Sequence, residues 1–433
     1  VPAPLERHAA PAGLRFAARL RLRAAILAGD AAALGSRLAG KGSGASIRGQ
    51  VMTRIDPLAF RKLVKGRRIA AVSGTNGKTT STHLLAAAVR AGVRDADRVV
   101  TNADGANLHY GIASALAKAP AADLAVLETD ERVVKDLITH GAPEVLVFLN
   151  FSRDQLDRHH EIKALAQAWR EALGDAGTSG PVIVANADDP LVVWASGTAH
   201  EVVWVAAETL WSADSALCPA CGTVLTRTGG AGADASHWDC PGCDLTEPEA
   251  PWRVVGGRIV DPAGTAWDPE LRVPGRFNVN NAACALAAAA VWGVPVETAL
   301  RGMRTVEAPA GRFATATFGT TTARLILAKN PAGWAEALPL LETDPVVLAI
   351  DSVAADGKDV SWLWDVEYEQ LAGRRVIATG PRAHDLAVRL TYAGVEHTVV
   401  PEPGEALAGH TAPVDVIATY TPFQKLLKMA GLR

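Results

Sequence analysis

The chain has 433 residues, of which 49% are hydrophobic and 21% charged, and 43 Lys plus Arg set against 46 Asp plus Glu give a net charge of -3. At roughly 150 residues per domain this is two or three domains. The hydrophobic content excludes a disordered chain, and the charge balance argues against a strongly basic nucleic-acid binder.

Residues 14–36 predict a helix. Leu14, Phe16, Leu20, Leu22, Ile26 and Leu27 are set among Arg15, Arg19, Arg21 and Arg23, so the helix is either a solvated amphipathic one or a contact for a partner or a membrane surface. Lys41 to Gly49 reads as a Gly/Ser loop. Val1 to Gly13 has no apolar stretch of the kind a signal peptide needs. The longest apolar run, Ala282 to Val296, is too short and alanine-rich to span a bilayer.

From Arg68 the pattern alternates between strand and helix. Strands are expected at 69–72, 124–127, 145–149 and 182–185, with helices at 79–91 and 160–174 between them. Such alternation predicts a parallel sheet covered on both faces. Residues 207–255 break the rhythm and look like an inserted module. Helices return at 278–292 and 296–305. A further α/β section follows residue 311, with strands at 323–327, 346–350, 376–378, 398–400 and 416–418. The expected domains are 1–50, a helical segment and loop; 51–310, a larger α/β domain carrying the insertion; and 311–433, a smaller α/β domain.

Ser73-Gly74-Thr75-Asn76-Gly77-Lys78-Thr79-Thr80 stands between a predicted strand and a predicted helix. Two glycines let the backbone curl, so that its N–H groups and the helix N-terminus point at phosphate oxygens. Lys78 is placed to reach the outer phosphates and Thr79 to ligate Mg²⁺. A generic phosphate-loop pattern has Gly at position 72, where this chain has Val72. Cys218, Cys221, Cys240 and Cys243 form two Cys-Pro-x-Cys turns separated by 18 residues. Four thiolates in this pattern predict one closed, structural Zn²⁺ and a reducing, cytoplasmic compartment. Cys284, alone among alanines, reads as a buried small apolar residue.

The GTNGKTT loop resembles that of the Mur ligase superfamily, and other segments extend the likeness. They are Thr101-Asn102, Glu128 at a strand end, Asn150 to Arg158, Asn186-Ala187-Asp188-Asp189-Pro190, Asn278 and Asn281, and Gly311-Arg312-Phe313. The resemblance implies ATP and Mg²⁺ as cofactors. It implies Gly74, Thr75, Asn76, Gly77, Lys78, Thr79, Thr80, Asn278, Asn281 and Arg312 as nucleotide-binding residues, and Thr79 and Glu128 as Mg²⁺ ligands. Three positions depart from the amino-acid-adding members. Gln155 replaces a histidine, Arg170 or a neighbour stands where a carbamylated lysine is usual, and Leu325 to Pro331 lacks an Asp before its Asn-Pro. Only about 65 residues precede the loop, too few for the superfamily's usual UDP-binding domain.

These departures, the four-cysteine insertion and the run Ala355-Asp356-Gly357-Lys358-Asp359-Val360-Ser361-Trp362-Leu363-Trp364-Asp365 resemble the MurT branch of the superfamily. So do Leu327 to Gly333 and Thr379 to Asp385. The resemblance implies a Mur-ligase-like ATPase domain with a zinc ribbon and a Rossmann-like C-terminal domain. It implies ATP-dependent amidation of the D-glutamate α-carboxylate in the lipid II stem peptide through an acyl phosphate, with Lys78 and Glu128 serving the chemistry. Ammonia would come from a GatD-type glutaminase in a heterodimer, its Cys-His pair completed by an Asp of this chain: Asp359 first, with Asp356 and Asp365 as alternatives. Asp359 also suits a helix N-cap, and Trp362 and Trp364 suit either core or interface. The expected locations are the cytoplasm and the inner face of the membrane. The competing readings are a folylpolyglutamate-type or cyanophycin-type ligase, and a nucleotide-regulated zinc-ribbon binding module.

Overall fold

The computed structural model describes residues 16–38, 44–102, 106–153, 162–206, 213–228, 237–307, 312–353 and 356–432. Leu14, Arg15, Gln155, Asp157, Gly311 and Ala355 lie outside them. The chain forms two units, one from Val1–Phe151 with Lys163–Val306, the other from Ser152–Ile162 with Glu307–Arg433.

The first unit opens with helices α1 (Phe16–Leu38), α2 (Ala45–Ile55) and α3 (Ala59–Val64). These pack into the same unit as the phosphate loop rather than standing as a segment of their own. The strands are β1 (Arg68–Ser73), β2 (Val99–Thr101), β3 (Leu124–Glu128), β4 (Val145–Phe148), β5 (Val182–Asn186), β6 (Glu201–Ala206), β7 (Thr226–Thr228), β8 (His237–Asp239), β9 (Trp252–Val255), β10 (Arg258–Val260) and β11 (Ala266–Trp267). Nine of them form one sheet in the order β11-β10-β9-β6-β5-β4-β1-β3-β2, in which only β10 runs antiparallel to the rest. β7 and β8 pair separately.

Every residue of β1 and β3 is buried, because helices cover both faces of the sheet. β1 lies between β3 and β4, so the chain leaving it enters the crevice where the winding direction reverses. Helix α4 (Lys78–Gly92) leaves that crevice. The remaining helices are α5 (His109–Lys118), α6 (Val134–Gly141), α7 (Ile162–Ala176), α8 (Pro190–Ser196), α9 (Arg276–Val291) and α10 (Val296–Met303). The alanine run of α9 is not surface or membrane material: Ala282 to Ala289 are buried all round the helix, against α4 and the sheet.

In the second unit a hairpin, β12 (Phe313–Phe318) and β13 (Thr321–Leu327), precedes β14 (Val346–Ala349), β15 (Val376–Thr379), β16 (His397–Val399) and β17 (Val414–Ala418). The order is β12-β13-β17-β14-β15-β16, parallel beyond the hairpin. Helices α11 (Pro331–Ala337), α12 (Ala383–Tyr392), α13 (Pro403–Ala406) and α14 (Tyr420–Met429) complete it. One core gathers Trp334, Tyr368, Leu386 and Leu390; the other gathers Leu407, Phe423 and Leu426. No helix among the described residues is long and apolar enough to cross a membrane.

Candidate active site and thiolate cluster

The loop after β1 turns through Gly74 and Gly77, whose φ angles of 137° and 83° belong to glycine's range. Space adds a second reason. A Cβ on Gly74 would stand 2.9 Å from the Asn150 nitrogen, and one on Gly77 only 2.3 Å from Oδ1 of Asn281. Helix α4 starts at Lys78 with no side chain capping it, which leaves its first N–H groups directed into the crevice.

Asn150, just beyond β4, closes the loop from the neighbouring strand. Its Oδ1 accepts from the Asn76 N–H at 2.9 Å, its Nδ2 donates to the Asn76 carbonyl at 3.1 Å, and its own carbonyl accepts from Thr75 N–H at 2.9 Å. Lys78 Nζ donates to the carbonyls of Gly74 and Thr75 and lies 3.3 Å from the Glu131 carboxylate. Thr79 is half-buried and Thr80 buried on the first turn of α4.

Glu128 ends β3 opposite Val72 of β1, beside the entry to the loop. Asn102, just after β2, holds its backbone on both sides at 2.8 Å, and Asn107 Nδ2 donates to its Oε1 at 3.0 Å. Its other oxygen, Oε2, is buried without a hydrogen-bond partner. A buried carboxylate oxygen left unmatched beside a phosphate loop fits a hard divalent cation. The donor set therefore accommodates Mg²⁺, with Glu128 and Thr79 as the residues that could hold it. Next along the chain, Asp130 is half-buried, which raises its carboxyl, yet its hydrogen bonds to Arg132 hold it below the usual range.

On α9, Asn281 sits against the loop at Gly77, and Asn278 lies three residues before it. Asn281 Nδ2 donates to Asn278 Oδ1 at 3.1 Å, and Asn278 Nδ2 donates to the Pro274 carbonyl. Arg312 belongs to the second unit, where its carbonyl accepts from Leu327 N–H. Its charge faces Glu336, whose carboxyl burial pushes up to about 7. Arg170 is turned to the Trp194 carbonyl and lies over that ring at 5.4 Å. Gln155 is outside the described residues.

The sequence pointed to the loop, Glu128 and the α9 asparagines but missed Glu131 and the bracing done by Asn107 and Asn150. The acidic run Glu128-Thr129-Asp130-Glu131 was the available signal for the first. The asparagine contacts depend on which strand ends are neighbours.

The four cysteines converge. Their sulfurs lie within 4.8 Å of one another, with Cys218–Cys243 at 3.6 Å and Cys221–Cys240 at 3.4 Å. Tetrahedral Zn–S bonds of about 2.3 Å put sulfurs roughly 3.8 Å apart, so the cluster fits one Zn²⁺. Trp238 fills the floor beneath it with Val193 and Leu225. The Trp238 Nε1–H donates at 3.0 Å to the carbonyl of Ala187, in the turn before α8. In that same turn Asp189 caps α8 through Leu191 and Val192 N–H and also accepts from Phe151 N–H at 2.7 Å. Cys284 is fully buried in α9, which pushes its thiol up to about 12 and leaves it inert.

The three aspartates of the second unit differ. Asp356 is buried; its Oδ1 accepts from Thr421 N–H in the first turn of α14, and its Oδ2 is unmatched. Asp359 is exposed and accepts from Ser361 N–H at 2.8 Å, heading a short 3₁₀ turn, and that bond holds its carboxyl low. Asp365 is paired with Arg153 at 3.2 Å. Trp362 is core, near Trp334, whereas Trp364 is 54% exposed against Tyr392.

Comparison with known proteins follows the two units. Residues 72–215 match the family described as Mur ligase middle domain, and residues 327–423 match MurT ligase C-terminal. The subunit MurT of the glutamine-hydrolysing lipid II isoglutaminyl synthase of Staphylococcus aureus strain N315 is 30% identical over 387 residues, covering 85% of this chain and 87% of that protein. The chain belongs to the MurT family. The MurT of Streptococcus pneumoniae strain R6 is 26% identical, covering 82% of this chain and 83% of its own. Among solved structures, a pseudomurein peptide ligase type C from Methanothermus fervidus aligns with a TM-score of 0.65 at 18% identity, over 85% of this chain and 79% of its own, a likeness of fold. The MurT-family chain is thus an ATP-dependent ligase by class, built on a Mur-ligase-like α/β fold with parallel sheets.

Proposed function

We propose that this chain is the synthetase subunit of a lipid II isoglutaminyl synthase. In that reading it transfers the γ-phosphoryl group of ATP to the α-carboxylate of D-glutamate in the lipid II stem peptide. Ammonia from a GatD-type glutaminase then attacks the acyl carbon, phosphate departs, and D-isoglutamine remains. The names of the S. aureus and S. pneumoniae relatives support the substrate and the status of a subunit.

The observation that carries the reading is the pairing of the uncapped α4 N-terminus with the unmatched Glu128 Oε2 at the C-terminal ends of the adjacent strands β1 and β3. Phosphoryl transfer to a carboxylate brings two anions together, so the site must supply positive potential. Loop N–H groups and Lys78 supply it from the protein. Lys78 is held by Glu131 and two carbonyls, and in the reaction it would exchange those for phosphate oxygens. A Mg²⁺ held by Glu128 and Thr79 would neutralise further phosphate charge. Asn278 and Asn281 would border the nucleotide from α9. The four-thiolate cluster, with no open coordination position, would take Zn²⁺ structurally.

For the partner's Cys-His pair we favour Asp359. It is exposed, whereas Asp356 is buried under α14 and Asp365 is engaged by Arg153. Exposed Trp364 and Tyr392 supply aromatic anchors on the same unit.

The test is amidation of lipid II with ATP, Mg²⁺ and glutamine, with and without the glutaminase, read by mass spectrometry. The carboxyl-to-carboxamide mass change is expected only with both subunits and is expected to vanish in Lys78→Ala. ATP binding without product under every condition would point to another Mur-type acceptor.

A further inference from the structure

Helix α1 carries two apolar faces. Leu22, Ala25, Gly29 and Ala33 are buried. Gly29 lies so close to α2 that a Cβ would stand 2.8 Å from the Arg48 carbonyl. The other face holds Phe16, Leu20, Leu27, Leu34 and Leu38, which are 50% to 82% exposed. At 3.6 residues per turn these five fall within an arc of about 40°, roughly opposite the buried four. The 23-residue helix makes this a stripe about 34 Å long.

Charge flanks the stripe. Arg19, Arg23 and Arg37 lie along one edge and Arg21 along the other, all exposed. Arg21 donates to the Ile55 carbonyl, while the other three have no ion pair among the described residues. Asp30, the only acid on the helix, is paired at 2.6 Å with the buried Arg48. The chain as a whole is net negative, so this cationic helix runs against its own protein's sign.

We infer that the outer face of α1 is a docking surface for an anionic lipid bilayer. The leucines and Phe16 would enter the headgroup boundary with the helix axis in the membrane plane, and the arginines would reach lipid phosphates beside them. A second copy of the chain fits less well, because facing stripes would bring two sets of arginines together. The inference goes beyond the proposed activity and does not require it, although a lipid-linked substrate would make such a surface useful.

The test is flotation of the full chain with vesicles of equal parts phosphatidylglycerol and phosphatidylcholine, lacking lipid II, and with phosphatidylcholine alone. The wild type is expected to float with the anionic vesicles and to remain largely behind with the neutral ones. Leu27→Asp/Leu34→Asp and Arg19→Glu/Arg23→Glu are each expected to lower the partition coefficient at least about tenfold, given a contribution near fivefold from one arginine. These side chains are exposed, so circular dichroism and ATP binding should be unchanged. A wild type that fails to float, or a double-Asp variant that floats as well as the wild type, would overturn the inference. So would a vesicle-free dimer that the double-Asp change dissolves, which would assign the stripe to a second copy. Because no lipid II is present, failure here is separable from failure of the amidation reading.

Discussion

Asn150 clasps Asn76 as a backbone segment would, accepting from its N–H at 2.9 Å and donating to its carbonyl at 3.1 Å. The phosphate loop is therefore fixed from β4 as well as by its own glycines. Asn150→Ala removes both bonds while leaving Lys78 in place. Each such bond contributes about 1 kcal/mol, so ATP should bind roughly 10- to 100-fold more weakly. Calorimetry on the purified chain would measure this. An unchanged Kd would mean that the loop holds its shape unaided.

Glu128→Gln keeps an oxygen for Asn107 but replaces the charged carboxylate with an amide. A hard cation depends on that charge. The Mg²⁺ concentration for half-maximal turnover is expected to rise at least about tenfold, with the Kd for metal-free ATP little altered. Titrating Mg²⁺ at fixed ATP separates the two effects.

The thiolate cluster reaches the phosphate loop through a short relay. Trp238 bonds the Ala187 carbonyl, Asp189 two residues on bonds Phe151 N–H, and Phe151 follows Asn150. Trp238→Phe should cost about 1 kcal/mol through the lost bond. Loading the cluster with Zn²⁺ and then removing it with a chelator should weaken ATP binding along with the local fold, while Cys284→Ala should do neither. Differential scanning with and without nucleotide would show whether cluster and loop lose stability together.

In the second unit Asp415 of β17 is buried. Burial alone would raise its pKa, but Arg324 at 2.6 Å and the N–H groups of Glu342 and Thr343 hold it below the usual range. A carboxyl depressed on folding stabilises above its unfolded pKa and loses that contribution as pH falls through the folded value. Wild-type stability should therefore drop steeply below about pH 4. Asp415→Asn should flatten that drop and cost about 1 to 2 kcal/mol at neutral pH, because it removes the buried charge facing Arg324, which is partly exposed and keeps Glu342 and the Leu340 carbonyl as partners. Urea melts across pH would check both.

Strands β1, β3, β4 and β5 were legible because each is a continuous apolar run bounded by turn residues. β2 was not, since its three residues are too few to display a period. The sheet order was hidden for a deeper reason: pairing is decided by contacts far apart in the chain, so the asparagine bracing could not be read either. Local periodicity revealed that α1 is amphipathic but not which of its two apolar faces is covered. The Trp362/Trp364 pair shows the same limit, since two residues of one type in one short turn went opposite ways, one to the core and one to solvent.

Three junctions join the two units, at 151/152, 162/163 and 306/307. The second unit thus depends on a segment drawn from the middle of the first, and Arg153, within that segment, is the partner of Asp365. The unit is therefore not one contiguous cassette of sequence. A natural recombination or a laboratory chimera with one breakpoint near residue 307 would set an inherited Arg153 against a foreign surface. Exchanges that keep this pair intact would need three coordinated breakpoints, or a matched change at position 153.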